Sequence, residues 1–114
     1  MPKIDREKVR SLIRLARKVH ERERGEHVAE AVHEDVAGRK QFRTAVDDLG
    51  NRDQQELLGL MALGRGDYGI EEWAAAMDYA SDAWSEAIGH YLISHPDFAE
   101  YLSAGLEILE NHDH

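Results

Sequence analysis

The chain has 114 residues, of which 42% are hydrophobic and 32% charged, and a formal net charge of −9. That size suits one domain built on a single core. It contains no cysteine, which excludes a disulfide framework, a thiolate nucleophile and a cysteine zinc site. No apolar run approaches the roughly 20 residues needed to span a bilayer. The opening Met1-Pro2-Lys3-Ile4-Asp5 runs into a charged helix without the apolar stretch of a signal peptide, so a cytoplasmic location is expected. Charge is unevenly placed: residues 1–43 carry twelve Lys/Arg against eight Asp/Glu, and residues 44–114 carry two against fifteen. The acidic part should repel nucleic acid and anionic lipid. In the basic part Glu7, Glu21 and Glu23 are interleaved with the cations, which favours internal or intersubunit neutralisation over an external polyanion.

Asp5 is a good N-cap, and Ile4 before it can staple onto Val9. Val9, Leu12, Ile13, Ala16 and Val19 then recur at helical spacing, predicting a helix that ends near residues 22–25. Lys8, Arg10, Arg14, Arg17 and Lys18 fill its other faces. A membrane-surface helix wants Trp, Phe or several Leu on its apolar side, so a bundle helix with solvated or paired cations is the better reading. Residues 26–36 form a weak apolar pattern between Gly25 and Gly38, read as a short helix or an ordered loop. Glu30 and His33 within it have the Glu-x-x-His spacing that puts both groups on one helical face. Carboxylate-bridged di-metal bundles use two such motifs, and only one is present. His27 and Glu34 would complete a mononuclear site, but in a chain with seven His and 23 acidic residues chance pairings are expected. The expectation is no metal and no other cofactor.

Phe42, Ala45, Val46 and Leu49 mark a second amphipathic helix, with Gly50 expected as its left-handed cap. Asn51 reads as the next N-cap with Gln54 as capping-box partner, so the two helices should be close neighbours. From Leu57 to Gly64 no side chain is polar. A helix apolar all round is buried, so this one is the pillar of the fold. Gly59 within it predicts a closely approaching neighbour, and Gly64 and Gly66 predict its end and the turn beyond. Gly69 reads as the cap of a following helix, with Glu71 and Glu72 set against its dipole. Trp73, Met77, Ala80, Trp84, Ala87 and Tyr91 then form a heptad seam. Either one helix runs from Ile70 to about Ile93, or it breaks near Ser81–Ser85 with Ser85 as a cap. His95-Pro96 is a stop. Pro96 suits the first turn of a last helix carrying Phe98, Leu102, Leu106 and Leu109 inward. Residues 111–114 read as tail, with His112 and His114 in it.

No stretch alternates as a strand does. The expected fold is all-α, a compact bundle of five or six helices around a buried central helix. It is read as one domain over 1–114, with a basic amphipathic part (1–43), an acidic helical core (44–110) and the tail.

Gln54-Gln55-Glu56-Leu57, Leu60-Met61, Leu63-Gly64-Arg65-Gly66-Asp67 and Glu71-Glu72-Trp73 resemble the signature of an uncharacterised bacterial family of small proteins, the domain-of-unknown-function family numbered 3775. The likeness extends to Tyr91-Leu92 and to residues 97–106, and the opening Glu7-Lys8-Val9-Arg10 and Ala16-Arg17 resembles the family's start. Residues 21–39 match poorly. The resemblance implies a bacterial helical protein and no assigned activity. Gly or Pro in relatives near Ser81–Ser85 favours the broken helix.

Arg65-Gly66-Asp67 is the tripeptide that integrins read, but its structural use as a closed corner explains it more simply. Arg65 is one of two cations after residue 43, which makes it the anchor of an ion-pair network or a binding residue. No Lys-Ser/Thr follows the glycines as a phosphate loop demands. The hydroxyl residues Ser11, Thr44, Ser81, Ser85, Ser94 and Ser103 sit in no nucleophile elbow. Asp47-Asp48 and Glu71-Glu72 are adjacent and splay about 100° apart on a helix, so they do not share one proton. The expected function is a non-enzymatic helical interaction module, a homodimer or partner-binding adaptor. Its interaction candidates are Arg65, Asp67, Trp73, Trp84 and Tyr91. The alternatives are a nucleic-acid regulator using Lys8, Arg10, Arg14, Arg17 and Lys18, with nucleic acid the less favoured partner, and a metal protein using Glu30 and His33.

Overall fold

The computed structural model describes residues 2–24 and 35–112, and among these it contains six α-helices, one 3₁₀ turn and no strand. The helices are α1 (Arg6–Glu23), α2 (Val36–Asp47), α3 (Asn51–Arg65), α4 (Trp73–Ala83), α5 (Ile88–Ile93) and α6 (Phe98–His112), with the 3₁₀ turn at Ile70–Glu72. The all-α bundle is therefore as expected. Residues 25–34 lie outside the described part, and with them His27, Glu30, His33 and Glu34.

α1 starts where its cap predicts: the Asp5 carboxylate accepts from the Glu7 N–H at 2.8 Å, and Ile4 and Val9 are both buried. Its inward stripe is the predicted one with His20 added. α2 opens at an exposed Val36, capped by Asp35, whose carboxylate accepts from the Gly38 N–H at 3.1 Å. Gly38 is thus inside a helix rather than the boundary expected of it. Glu23 binds Arg39 through two bonds, Nε–Oε2 at 2.5 Å and Nη2–Oε1 at 2.7 Å, and also accepts from the Asp35 N–H at 2.9 Å. This clasp ties the end of α1 to the start of α2.

α3 is the pillar: every residue from Leu57 to Leu63 is buried. Its ends correct the sequence reading. Gly50 is extended (φ −71, ψ 161) rather than left-handed, and it is the N-cap itself, while Asn51 is already helical and caps nothing. Gln54 turns inward instead. Its amide donates to the Val46 and Leu49 carbonyls at 2.9 and 3.3 Å, and its oxygen accepts from Trp84 Nε1 at 2.8 Å. The carbonyls at the end of a helix have no partner within it, so a buried amide that satisfies them outweighs a capping box. At the other end Gly66, not Gly64, stops the helix: it is left-handed (φ 84) and its N–H returns to the Ala62 and Leu63 carbonyls.

Gly64 has a different task. A Cβ built there would lie 1.7 Å from the Tyr101 carbonyl oxygen, and one built on Gly105 would lie 2.1 Å from that of Leu60. The two glycines let α3 and α6 cross antiparallel, backbone against backbone. Gly59 also faces a close neighbour, the Trp73 ring, 2.8 Å from a Cβ built there. α4 covers another side of α3, α1 packs on α6 and α2, and α2 packs on α5. The short α2–α3 connection makes a corner, so α2 lies against α1 and α5 instead of alongside α3 as expected. Phe42 of α2 meets Phe98 of α6 edge to face, with centroids 5.6 Å apart.

The heptad seam does not run on through Tyr91. Trp84 leaves the helical backbone (φ −65, ψ 140) to reach Gln54, and Ser85 Oγ accepts from the Ala87 N–H at 3.3 Å to hold the bend. Register shifts there, so Ile88, Gly89, Leu92 and Ile93 face inward while Ala87 and Tyr91 are exposed. Pro96 lies in the turn before α6 rather than in its first turn, and α6 continues through Asn111 and His112, residues expected in the tail.

Charge neutralisation is internal where α1 meets α6: Arg10 pairs with Glu110 and with Glu7, and Arg17 pairs with Glu100. Glu56, at 0% exposure, is the fully buried carboxylate of α3. Both its oxygens accept from the Lys3 backbone N–H, at 3.0 and 2.8 Å, which pins the segment before α1 to the pillar.

Gly105→Ala should destabilise the fold by about 2 kcal/mol, the overpacking cost exceeding the roughly 1 kcal/mol that alanine gains in helix propensity. Gly50→Ala, with nothing within 4 Å of the added carbon, should change urea stability by less than about 1 kcal/mol. The Arg39 bond, followed by the Asp35 N–H, outweighs burial and holds the Glu23 carboxyl below its ordinary 4.5. Its contribution is complete above that value and is lost as pH falls through the lowered one. Acid unfolding curves of Glu23→Gln should therefore be flatter than wild type over that interval.

Candidate functional site

The candidate site is the corner after α3, which the left-handed Gly66 folds back on itself. That turn places Arg65 beside Asp67: Nε donates to Asp67 Oδ2 at 2.9 Å, and Nη2 lies 2.8 Å from the same oxygen. Nη2 also donates to the Tyr79 hydroxyl at 3.3 Å, and the guanidinium carbon sits 6.0 Å from the centre of the Tyr79 ring. Tyr68 completes the aromatic wall, with its ring centre 6.1 Å from that of Tyr79. Arg65 is thus the anchor of a local network, one of the two roles its isolation predicted. The Arg65 side chain is only partly buried, at 24% exposure.

The electrostatics follow from partial burial. Burial works to lower the Arg65 pKa, but the Tyr79 hydroxyl and Asp67 outweigh it and the net shift is upward, so the group is a fixed cation. The phenol of Tyr91 is pushed up by burial first and by Tyr79 second, while Arg65 pulls it down. Tyr91 therefore belongs electrostatically to this corner although it comes from α5. It remains 38% exposed and lies against the His95 ring at 4.5 Å between centroids. A fixed, partly exposed guanidinium, an exposed carboxylate and phenol rings form a surface suited to hydrogen-bond acceptors and to flat apolar groups.

Of the five interaction candidates, the fold brings Arg65, Asp67 and Tyr91 together. Trp73 is 6% exposed and packs its indole over Gly59; its Nε1–H finds no acceptor among the described residues. Trp84 is half-buried and committed to Gln54. Both tryptophans therefore work inside the fold. The sequence reading passed over Tyr79, because fourteen residues of separation from Arg65 leave no local signal. Glu56 was legible as the acidic residue bordering the apolar octet, and was not singled out. Among the described residues no group of three His, Asp or Glu could hold a metal ion, and no helix is long and apolar enough to cross a membrane.

A family model described as "Protein of unknown function (DUF3775)" matches residues 39–110, and the chain belongs to that family. The match takes in α2 from Arg39 onward, α3, the Arg65 corner, α4, α5 and α6 up to Glu110, and leaves out α1. No curated protein and no solved structure matches the chain.

Ultraviolet titration should find opposite effects of two substitutions on Tyr91. Arg65→Ala removes the cation that favours the phenolate and should move the Tyr91 pKa further up. Tyr79→Phe removes the group that opposes it and should move the value down.

Proposed function

We propose that the chain is a non-enzymatic helical interaction module that associates with itself, or with a protein partner, through the Arg65 corner. The carrying observation is that Arg65, the one Lys/Arg of residues 53–114, is held by Asp67 and Tyr79 while its side chain stays partly exposed, with Tyr91 of α5 exposed within its electrostatic reach. Arginine and tyrosine are the residue types that most often carry binding energy at interfaces, because they offer large contact area and directional donors. Restraint of the guanidinium in advance lowers the entropy cost of using it. The acidic surroundings favour a partner that brings its own cations to the rim while an acceptor meets Arg65. The cytoplasmic location expected from the sequence is part of this reading.

The nucleic-acid alternative draws on α1. Arg10 and Arg17 are engaged by carboxylates of α6, whereas Lys8, Arg14 and Lys18 have no carboxylate partner among the described residues. Three cations on a body of net charge −9 make a weak polyanion site. That balance favours protein over nucleic acid as the partner. Glu30 and His33, which the metal alternative needs, lie outside the described residues.

Light scattering at tens of micromolar should give a mass above that of the monomer for wild type. Arg65→Glu and Tyr91→Ala should each return it to the monomer with the helical circular dichroism unchanged. A monomeric wild type at these concentrations removes self-association, and an oligomer indifferent to both substitutions removes the corner.

A further inference from the structure

The first two helices leave a groove between them that the core does not fill. α1 and α2 run antiparallel, because Glu23 and Arg39 clasp the end of one to the start of the other. The start of α1 therefore lies beside the end of α2, and there the pair encloses about 440 Å³. The floor is aliphatic, made of Leu12, Leu15, Ala45 and Leu49. Leu15 is the one aliphatic residue of α1 that is not buried, and Ala45 and Leu49 are also only partly covered.

The walls carry opposite charges. Lys8 stands on the α1 side and Asp48 on the α2 side, and both are exposed. Neither has an ion pair or a side-chain hydrogen bond among the described residues. Glu7 at the same rim is paired with Arg10. A ligand of one sign, such as a fatty acid or a nucleic acid, would neutralise one wall and meet a like charge on the other. The lining residues recur at i, i+3, i+4 and i+7 along α1 (8, 11, 12, 15) and at i, i+3 and i+4 along α2 (45, 48, 49), so the groove follows the helix axes. A third helix suits such a groove, with its ridge of side chains between the two rows and one flank against each wall.

We propose that the groove between α1 and α2 docks an amphipathic helix of a protein partner. The helix lays an aliphatic seam on the leucines and Ala45, and turns an acidic flank to Lys8 and a basic flank to Asp48. The inference is independent of the Arg65 corner and of any self-association.

Three synthetic helices of about fifteen residues test it. All carry leucine at the a and d positions of the heptad. One has glutamate along one flank and lysine along the other, the second has glutamate on both, and the third has lysine on both. Fluorescence anisotropy at physiological ionic strength, which screens the overall charge of the chain, should rank the mixed peptide first on wild type. The margin should be about fivefold, the effect of exchanging a like for an opposite charge at an exposed pair. Lys8→Glu makes both walls acidic and should put the lysine peptide first. Asp48→Lys makes both walls basic and should put the glutamate peptide first, and the two substitutions together should restore the mixed one. Leu15→Asp should abolish binding of all three. Absence of binding to wild type, or one ranking shared by wild type and the charge variants, overturns the proposal. A light-scattering mass that falls with Leu15→Asp but not with Arg65→Glu also overturns it, because a second copy then fills the groove.

Discussion

The close crossing of α3 and α6 is the constraint on which the other contacts depend. Gly64 and Gly105 remove the side chains that would separate the two backbones, each where a Cβ would strike a carbonyl of the opposite helix. Two helices that close expose little of their facing sides, so the apolar residues of α3 must be covered from the remaining directions. α4 supplies one cover, with Trp73 laid over Gly59, and further residues of the one core come from α1, α2 and α5. This accounts for a helix apolar on all sides standing in a chain whose mean hydropathy is −0.61: one element takes the apolar load and the others remain free to be charged.

Charge is then distributed around that pillar in a way that uses the basic segment internally. Arg10 and Arg17 lie along the acidic outer edge of α6, and Arg39 is closed onto Glu23 between α1 and α2. Each exposed pair contributes little, because water screens it and two long side chains must be ordered. The effect is one of placement. A segment whose composition suggests a polyanion partner is thus in part a mate for the acidic half of its own chain.

The Arg65 corner shows how a fold can restrain a charged group without hiding it. A left-handed glycine turns the chain so that a carboxylate two residues on and a phenol from the next helix hold the guanidinium from two sides, while part of the side chain stays accessible. Holding a cation in this way lowers the entropy cost of any contact it makes.

Much of the fold was legible in the sequence because it is local. The Asp5 cap, the stripe of α1, the burial of residues 57–63 and the stop before His95-Pro96 each follow from spacing, capping and backbone preference within a few turns. The family was legible in the wording around Arg65 for the same reason, since that wording is contiguous. What sequence alone left open or misplaced involves partners far apart in the chain. Gln54 serves Trp84 and the end of α2 instead of a capping box, Trp84 breaks a seam that periodicity would have continued, and Gly64 makes a crossing where local rules saw a helix end. The meeting of Arg65 with Tyr79 and Tyr91, and that of Lys8 with Asp48 at one groove, arise only when separate helices are packed. A one-dimensional pattern records which face of a helix is apolar; which residue stands opposite that face is decided by packing, and here packing decided the candidate sites.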